Sequence, residues 1–305
     1  MRILISGGSG FIGRAVTTEA LREGHSVTIL TRNTSNAPVK RNGLSFLLWD
    51  GVSQGAWVGA LASHDVIINL SGESVAHGLW TSSRKKKLVD SRIISTGLLA
   101  EAMNSVKHTV HTFINGSAIG YYGDAGNTEC TESSSAGSGF LATLVMEWEA
   151  AALKATPSGV RIVMPRIGVV LGKGSGSLPP LLLQHRLFLG GYIGSGRQWM
   201  SWIHLHDIAK AFLYLAIKDH MNGPVNVTAP HPVTMKQMSH TLAKVLHRPS
   251  WLPAPAFAVR TLLGEMADIV LHSQKVLPKK LIESGFEFKY PDLEGALRHL
   301  LGRPA

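Results

Sequence analysis

The sequence lacks the residues for an internal disulfide and the apolar length for a membrane span. Cys130 is the only cysteine among 305 residues. A single thiol is typical of a reducing compartment, and no apolar run reaches the ~18 residues that a membrane-spanning helix requires. No zinc-type spacing of cysteine and histidine occurs either. We therefore predict a cytoplasmic protein with no membrane partner and no metal site.

Acidic residues are scarce. The chain has 20 Asp and Glu against 30 Lys and Arg, and its formal net charge is +10. Such an excess raises the question of nucleic-acid binding. The positive residues are scattered, however, and their one dense run, Arg84–Lys87, lies in a predicted helix, where it is typical of a solvated face. We predict no nucleic-acid partner, because a small anionic molecule explains a basic site equally well.

Glycine is plentiful, and three glycines near the start of the chain form a pattern. A short apolar strand, residues 3–6, runs into Gly7, Gly10 and Gly13, which lead into an amphipathic helix. Glycines at this spacing permit a tight turn, the approach of a phosphate and close packing of helix on strand. The helix N-terminus offers free N–H groups to a pyrophosphate. The cofactor contacts predicted here are Gly7, Ser9, Gly10, Phe11, Ile12 and Gly13.

The end of the second predicted strand, residues 27–30, indicates which dinucleotide is bound. NAD-binding units usually carry an acidic residue there, which bonds the ribose hydroxyls. This chain has Thr31, Arg32 and Asn33 instead. A guanidinium pairs well with a 2′-phosphate, so we predict NADP(H) rather than NAD(H). The alternative is that Arg32 points into solvent.

Strand and helix patterns alternate along the first two thirds of the chain, which favours a parallel sheet with helices on both faces. The predicted fold class is α/β, a Rossmann-type doubly wound parallel sheet with a small C-terminal substrate lobe. We place the NADP(H)-binding domain at 1–168, completed by about 200–230, and the substrate lobe at 169–199 and 231–305. Further strands are predicted at 44–49, 65–70, 109–116 and 160–165, and helices at 81–105, 139–155, 181–189 and 293–301.

Five segments together resemble the extended short-chain dehydrogenase/reductase superfamily, of the nucleotide-sugar epimerase type. They are GGSGFIG at 7–13, NLSGE at 69–73, Ser117 with Tyr122-Gly123, PRIGVVLG at 165–172 and WIHLHDIAKA at 202–211. The tail at 274–297 resembles the atypical group called "epimerase family protein". The resemblance implies an NADP(H) cofactor contacted also by Asn69, Leu70, Ser71, Gly72, Arg92, Pro165 and Ile167. It implies substrate contacts at Tyr122, Arg166 and Arg197.

The catalytic residues of the superfamily are only partly retained. Ser117 matches the serine that bonds the reacting oxygen. The tyrosine and lysine that act as the acid–base pair fall near Gly139 and Thr143, so both are missing. Tyr121 is the predicted substitute, with packing as its alternative. The pair Tyr214 and Lys218 has the family spacing but lies on the wrong helix, and we do not expect it to be catalytic.

Two functions are open at this point. The first is an NADP(H)-dependent oxidoreductase or epimerase-like enzyme of a small polar, anionic substrate. The second is a non-catalytic NADP(H)-binding sensor or scaffold, which the missing acid–base pair favours. The resemblance also implies a homodimer through the helices at 81–105 and 138–155.

Overall fold

The structure, a computed structural model, describes residues 1–34 and 42–304. The strands are β1 Arg2–Ser6, β2 Ser26–Thr31, β3 Leu44–Leu48, β4 Val66–Asn69, β5 Thr112–Asn115, β6 Ser117–Ala118, β7 Glu129–Cys130, β8 Arg161–Ile167, β9 Val169–Leu171, β10 Trp199–Met200, β11 Trp202–His204, β12 Gly223–Val227, β13 Val233–Thr234 and β14 Lys275–Val276. The helices are α1 Phe11–Arg22, α2 Ser82–Ser105, α3 Phe140–Leu153, α4 Leu178–Arg186, α5 Leu205–Ile217, α6 Met235–Leu246, α7 Ala256–Leu263, α8 Asp268–Leu271, α9 Lys279–Glu283 and α10 Leu293–Leu301. Short 3-10 turns occupy 56–63, 119–122, 156–158 and 264–267.

Eight strands form one parallel sheet in the order β12-β8-β5-β4-β1-β2-β3, with β6 also paired to β8. The strand order reverses beside β1, which is where doubly wound sheets bind their ligands. The predicted Rossmann-type fold with a small C-terminal lobe is confirmed.

Alternate residues of the strands fill two cores. Ile3 and Ile5 of β1 face α1 and α5, whereas Leu4 between them faces α2 and α3. This period of two follows from the pleat of a strand that is buried on both faces. The helices cover both faces, so the carboxyl edge of the sheet is left for ligands.

The C-terminal lobe has a hydrophobic cluster of its own. Trp202 at the sheet edge packs with Met238 and Leu242 of α6 and with Leu297 of α10. The cluster contains residues that precede 200 in the sequence and residues that follow 230, together with Trp202. The domain boundaries given above stay a prediction. No helix among the described residues combines the length and the apolar character needed to cross a membrane.

Candidate functional site

The turn between β1 and α1 requires two of its glycines. Gly7 has a φ of +71°, and a Cβ there would lie 2.5 Å from the Leu70 carbonyl oxygen. A Cβ on Gly13 would lie 2.2 Å from the Gly7 carbonyl oxygen. Neither position accepts a side chain unless backbone moves. The backbone N–H of Gly10 donates to the Gly7 oxygen at 3.0 Å, which closes the turn at the start of α1.

A cavity of about 550 Å³ opens at the carboxyl ends of β1, β2 and β4. Its volume falls in the range of small-molecule and cofactor sites. Seven of the predicted cofactor residues line it: Gly7, Ser9, Gly10, Arg32, Leu70, Ser71 and Gly72. The side chain of Arg32 is exposed at this cavity and makes no hydrogen bond or ion pair with any residue in the described ranges.

The other seven predicted cofactor residues do not line this cavity. They are Phe11, Ile12, Gly13, Asn69, Arg92, Pro165 and Ile167. The ring of Phe11 packs against the loop after β9, where a Cβ on Gly172 would meet it at 2.6 Å. Ile12 and Ile167 pack against the core shared by α1 and α5. Their contact with a cofactor stays a prediction.

Asn69 is the centre of a buried polar network that fixes the end of β4. Its Oδ1 accepts from Ser6 Oγ at 2.5 Å and from the Ser71 backbone N–H at 3.1 Å. Its Nδ2 donates to Thr96 Oγ1 at 2.8 Å and to Asn115 Oδ1 at 2.7 Å. Buried polar groups that are fully bonded in this way hold a single geometry. The network therefore sets the backbone of Ser71, which lines the cavity.

Arg92 on α2 is a half-buried cation without a carboxylate partner in the described structure. It donates to the carbonyl oxygens of Leu88 at 3.1 Å and Glu73 at 2.9 Å, and its guanidinium lies 5.1 Å from the Trp148 ring centroid. Burial lowers the pKa of Arg92 to about 10. A Cβ on Gly72 would lie 3.1 Å from its Cζ. A positive charge therefore stands directly behind the cavity wall at Gly72.

Ser117 belongs to a second buried network. Its hydroxyl donates to Glu149 Oε1 at 2.6 Å. Arg166 holds the same carboxylate through both oxygens, from Nε at 2.8 Å and from Nη2 at 2.9 Å. Ser117 and Arg166 are only 2% and 3% exposed. Because a hydroxyl has a single proton, the Ser117 oxygen is left as an acceptor while this bond persists.

The tyrosine pair adjoins this network. The guanidinium of Arg166 stacks over the ring of Tyr121, with its Cζ 3.4 Å from the centroid, and its Nη1 donates to the Tyr122 hydroxyl at 3.1 Å. The Tyr122 hydroxyl lies 2.7 Å from Asn226 Oδ1, and burial raises the pKa of Tyr122 to about 12. The structure thus brings Ser117, Tyr121, Tyr122 and Arg166 together. Arg197 lies elsewhere, exposed in the loop before β10.

The positions of α3 that face the strand-end turn are aliphatic. A Cβ on Gly120 would lie 3.3 Å from Leu141 Cβ and 3.7 Å from Val145 Cγ2, so these two residues, four apart, face the segment after Ser117. Thr143 is exposed. Gly139 and Thr143, the positions expected for the missing tyrosine and lysine, each precede by two residues the positions that face this turn. No tyrosine or lysine occupies either set of positions.

Tyr214 and Lys218 take part in packing. The Tyr214 hydroxyl donates to the Ser284 carbonyl oxygen, and its ring packs edge-on against Phe286. The Lys218 ammonium lies 5.2 Å from the Tyr214 ring centroid. That the pair is not catalytic stays a prediction.

The sequence matches the models of two known protein families. A model described as the NAD dependent epimerase/dehydratase family matches residues 3–228. The chain belongs to that family. A second model, Domain of unknown function (DUF1731), matches residues 254–300 of the C-terminal lobe. The predicted resemblance to the "epimerase family protein" group is confirmed by both models together with the relatives below.

The relatives match this epimerase-family chain over nearly its whole length. Epimerase family protein YfhF of Bacillus subtilis is 41% identical over 303 residues, which cover 99% of this chain and 98% of that protein. The chloroplastic SDR39U1 homolog of Arabidopsis thaliana is 37% identical, over 99% of this chain and 87% of that protein. The crystal structure of human epimerase family protein SDR39U1 (isoform 2) with NADPH has a TM-score of 0.89 and 33% identity, and each chain is covered completely. A nicotinamide dinucleotide of the NAD(P) type is therefore the cofactor class of this family.

Several cavity residues of this family member were not predicted as contacts. Trp49, Asp50 and Val52 line the cavity just after β3, and Asp90 and Ile94 line it from α2. Hydrogen bonds from Ser53 Oγ and the Val52 and Ser53 backbone N–H groups lower the pKa of Asp50. The position of 49–52 after a strand adjacent to β2 was a usable signal. The face that α2 turns to the cavity had no signal in the sequence.

Proposed function

We propose that this chain is an NADP(H)-dependent oxidoreductase or epimerase-like enzyme that binds its cofactor in the 550 Å³ cavity. The observation that carries the proposal is Arg32. Its guanidinium stands at the end of β2, at the rim of the cavity, without a partner among the described residues. A free guanidinium at this place suits a 2′-phosphate, which NADP(H) has and NAD(H) lacks. The NADPH bound to the human relative supports the same choice.

The residues of the cavity fit a dinucleotide. Ser9 and Gly10 lie at the start of α1, where N–H groups of the first helical turn have no acceptor within the helix and can bind a pyrophosphate. Ser71 and Gly72 line the wall towards Arg92. When bound, the nicotinamide supplies or accepts a hydride. The chain's own part is to hold the dinucleotide, orient it and present the substrate.

The substrate that we propose is small, polar and anionic. Arg92 supports this class, because it is a desolvated cation with no carboxylate in contact and lies one backbone layer from the cavity. Tyr121, stacked on Arg166, stays the proposed substitute for the missing tyrosine. Tyr122 and Arg166 are bonded to each other and to Glu149, so we propose that they support the substrate site from behind. For Arg197 the proposed substrate contact rests on the family resemblance.

The second candidate is a protein that binds NADP(H) without turnover, as a sensor or scaffold. The observation that favours it is the aliphatic pair Leu141 and Val145, which faces the turn after Ser117. The Ser117 proton is engaged by Glu149, and the high pKa of Tyr122 prevents it from acting as a base near neutral pH. A homodimer through α2 and α3 and a place in the cytoplasm remain proposals under either function.

The test of the cofactor half is a titration of the purified protein with NADPH, NADP⁺, NADH and NAD⁺, followed by melting temperature and nicotinamide fluorescence. A ligand that binds only the folded state raises the melting temperature. We expect Arg32→Ala to weaken NADPH roughly 10- to 100-fold, because one or two charge-assisted bonds are lost, and to leave NADH unchanged. The matched control is Arg14→Ala, which removes a nearby exposed cation whose side chain donates to the Ser9 carbonyl oxygen. Equal binding of NADPH and NADH by the unsubstituted protein would contradict the choice of cofactor.

A further inference from the structure

A group of exposed apolar side chains lies on the C-terminal lobe, where α4 ends and where the chain leaves α6. Its six members, here called the apolar patch, are 45–65% exposed: Leu183, Leu187, Phe188, Leu189, Trp251 and Leu252. The Leu187 backbone N–H donates to the Leu183 carbonyl oxygen at 3.1 Å, so these two side chains lie one helical turn apart. Single exposed apolar residues are ordinary, whereas a contiguous group of them marks an interaction site.

Hydrogen bonds between two segments make the patch continuous. The indole Nε1 of Trp251 donates to the Phe188 carbonyl oxygen at 3.0 Å. The backbone N–H groups of Trp251 and Leu252 donate to the Gly190 carbonyl oxygen at 2.9 and 3.0 Å. All residues of 251–258 are exposed. The patch is therefore one surface, held together by backbone contacts, and its side chains stand out from the lobe.

The backbone at the patch has an unfavourable conformation. Phe188 and His247 are the two residues other than glycine in the described ranges that have a positive φ, at +62° and +54°. Phe188 follows α4, and His247 ends α6 one residue before Arg248. The left-handed region is costly for a bulky side chain. Because Phe188 is 54% exposed, burial within the chain offsets little of this strain.

The patch lies in a part of the chain that has no acidic residue. Residues 150–206 contain six Lys and Arg, residues 220–264 contain four, and neither range contains Asp or Glu. The rest of the chain has as many acidic as basic residues, so these two ranges carry the whole formal net charge of +10.

Two of these cations flank the patch. Arg186 and Arg248 are exposed, and neither makes an ion pair with a residue in the described ranges. The guanidinium of Arg248 lies 4.7 Å from the Phe188 ring centroid. The surface thus combines protruding apolar side chains with positive charge that no neighbouring carboxylate neutralises.

We propose that the apolar patch docks on the surface of a bilayer that contains anionic lipids. Aromatic and leucine side chains enter the headgroup region, and arginines beside them bind the anionic headgroups. The inference does not rest on the proposed function. The sequence predicts no membrane partner because it lacks a spanning run, but docking at the surface needs no such run, so this proposal replaces that prediction.

Two other occupants suit the patch less well. A second copy of this chain would bring two positively charged surfaces together, and like charges across an interface oppose association. A nucleic acid would suit the arginines and Trp251. Four of the six side chains are leucine, however, and leucine offers no ring on which a base can stack.

The test is flotation of the purified full chain with vesicles. One set is phosphatidylcholine alone, and the other is phosphatidylcholine and phosphatidylglycerol at about 7 to 3. We expect binding to the mixed vesicles to be at least roughly 10-fold tighter and to weaken as salt rises. Leu187→Ser should weaken it roughly 10-fold or more, and Ile217→Ser, at the equally exposed end of α5, should not. Arg248→Glu should likewise weaken it roughly 10-fold or more, in contrast to Lys87→Glu on α2.

Two further variants separate docking from folding and from general attraction. Glycine suits the φ of +62° at Phe188, so Phe188→Gly should not lower the melting temperature, although it should weaken vesicle binding roughly 10-fold. Trp251→Phe keeps an apolar ring but removes an indole. It should bind the mixed vesicles within about 3-fold of the unsubstituted chain and show a smaller blue shift of tryptophan fluorescence on binding.

Each of the other outcomes overturns the proposal. The first is a lack of binding to mixed vesicles at low salt. The second is binding that Leu187→Ser and Ile217→Ser weaken alike. The third is binding that Phe188→Gly leaves unchanged and that salt abolishes, since net charge alone would then be the cause. The fourth is a dimer that Leu187→Ser dissociates in sedimentation, without vesicle binding, which would assign the patch to a second copy.

Discussion

At the ends of β1 and β2 the cavity is built from backbone and small residues, with Gly7, Ser9 and Gly10 at its floor and Arg32 at its rim. On the other side of the sheet edge, the first turns of α3 present Leu141 and Val145 to the turn after Ser117. The proposed binding in the first region depends on geometry that one short segment encodes. The second region has no tyrosine or lysine at the positions where the family resemblance predicts a proton-transfer pair, and its polar groups are bonded to one another.

The two regions differ in how far apart in the sequence their functional residues can lie. Phosphate binding needs a turn and a helix N-terminus, which neighbouring residues supply. Proton transfer needs one titratable group at one place, and that group can come from any segment that folds over that place. In this chain the positions of α3 that face the turn after Ser117 are Leu141 and Val145, which cannot titrate.

The largest effect that we predict concerns the network behind Ser117. Glu149→Gln removes the charge that balances Arg166 and leaves a buried guanidinium unpaired. We expect a loss of about 3–5 kcal/mol in the free energy of unfolding, measured by urea denaturation. Glu283→Gln, which breaks the exposed pair with Lys279, should cost less than about 1 kcal/mol. A loss of under 1 kcal/mol for Glu149→Gln would mean that Arg166 is available to a substrate after all.

The next effect tests the glycine turn. Gly13→Ala places a Cβ 2.2 Å from the Gly7 carbonyl oxygen, so the turn must open. We expect NADPH binding to weaken on the order of 100-fold, about 3 kcal/mol, in a fluorescence titration. Gly97→Ala in α2 is the matched control, because a Cβ there meets nothing within 4 Å and helix propensity favours alanine. Wild-type affinity in Gly13→Ala would show that this turn does not hold the dinucleotide.

Much of the proposed cofactor site was predictable from the sequence, because its signals are local. Gly7 and Gly10, Arg32 in place of the usual acidic residue, and the strand-end segment 70–72 all line the cavity. The fold class followed from the alternation of strands and helices. The predicted helix at 181–189 is shifted, and α4 spans Leu178–Arg186, since Pro179 and Pro180 suit a first helical turn.

The reaction side could not be derived in the same way. The family spacing placed the missing pair two residues away from the helix face that meets Gly120, because the register of a helix depends on what it packs against. The bonds of Ser117 and Arg166 to Glu149 join β6, β8 and α3, and the sequence pattern of no single element indicates them.

The smallest effect concerns the join between the sheet and the C-terminal lobe. His204 Nδ1 accepts from the His206 backbone N–H at the start of α5, and its Nε2 therefore donates to His299 Nδ1 on α10, at 3.1 Å. Burial lowers the pKa of His204 to about 3, with repulsion from His299 and His206 adding to it. The unfolded chain takes up this proton near pH 6.5, so between pH 6.5 and pH 3 it binds more protons than the folded chain and stability falls as the pH falls.

We expect His204 to contribute a loss of about 2 kcal/mol in the free energy of unfolding between pH 7 and pH 5. His204→Asn keeps an acceptor for the His206 N–H but does not titrate, so its stability should depend less on pH by that amount. Urea denaturation at the two pH values measures the difference, and His220→Asn serves as the exposed control. Parallel pH profiles for His204→Asn and the unsubstituted protein would show that His204 is not the group that couples the lobe to pH.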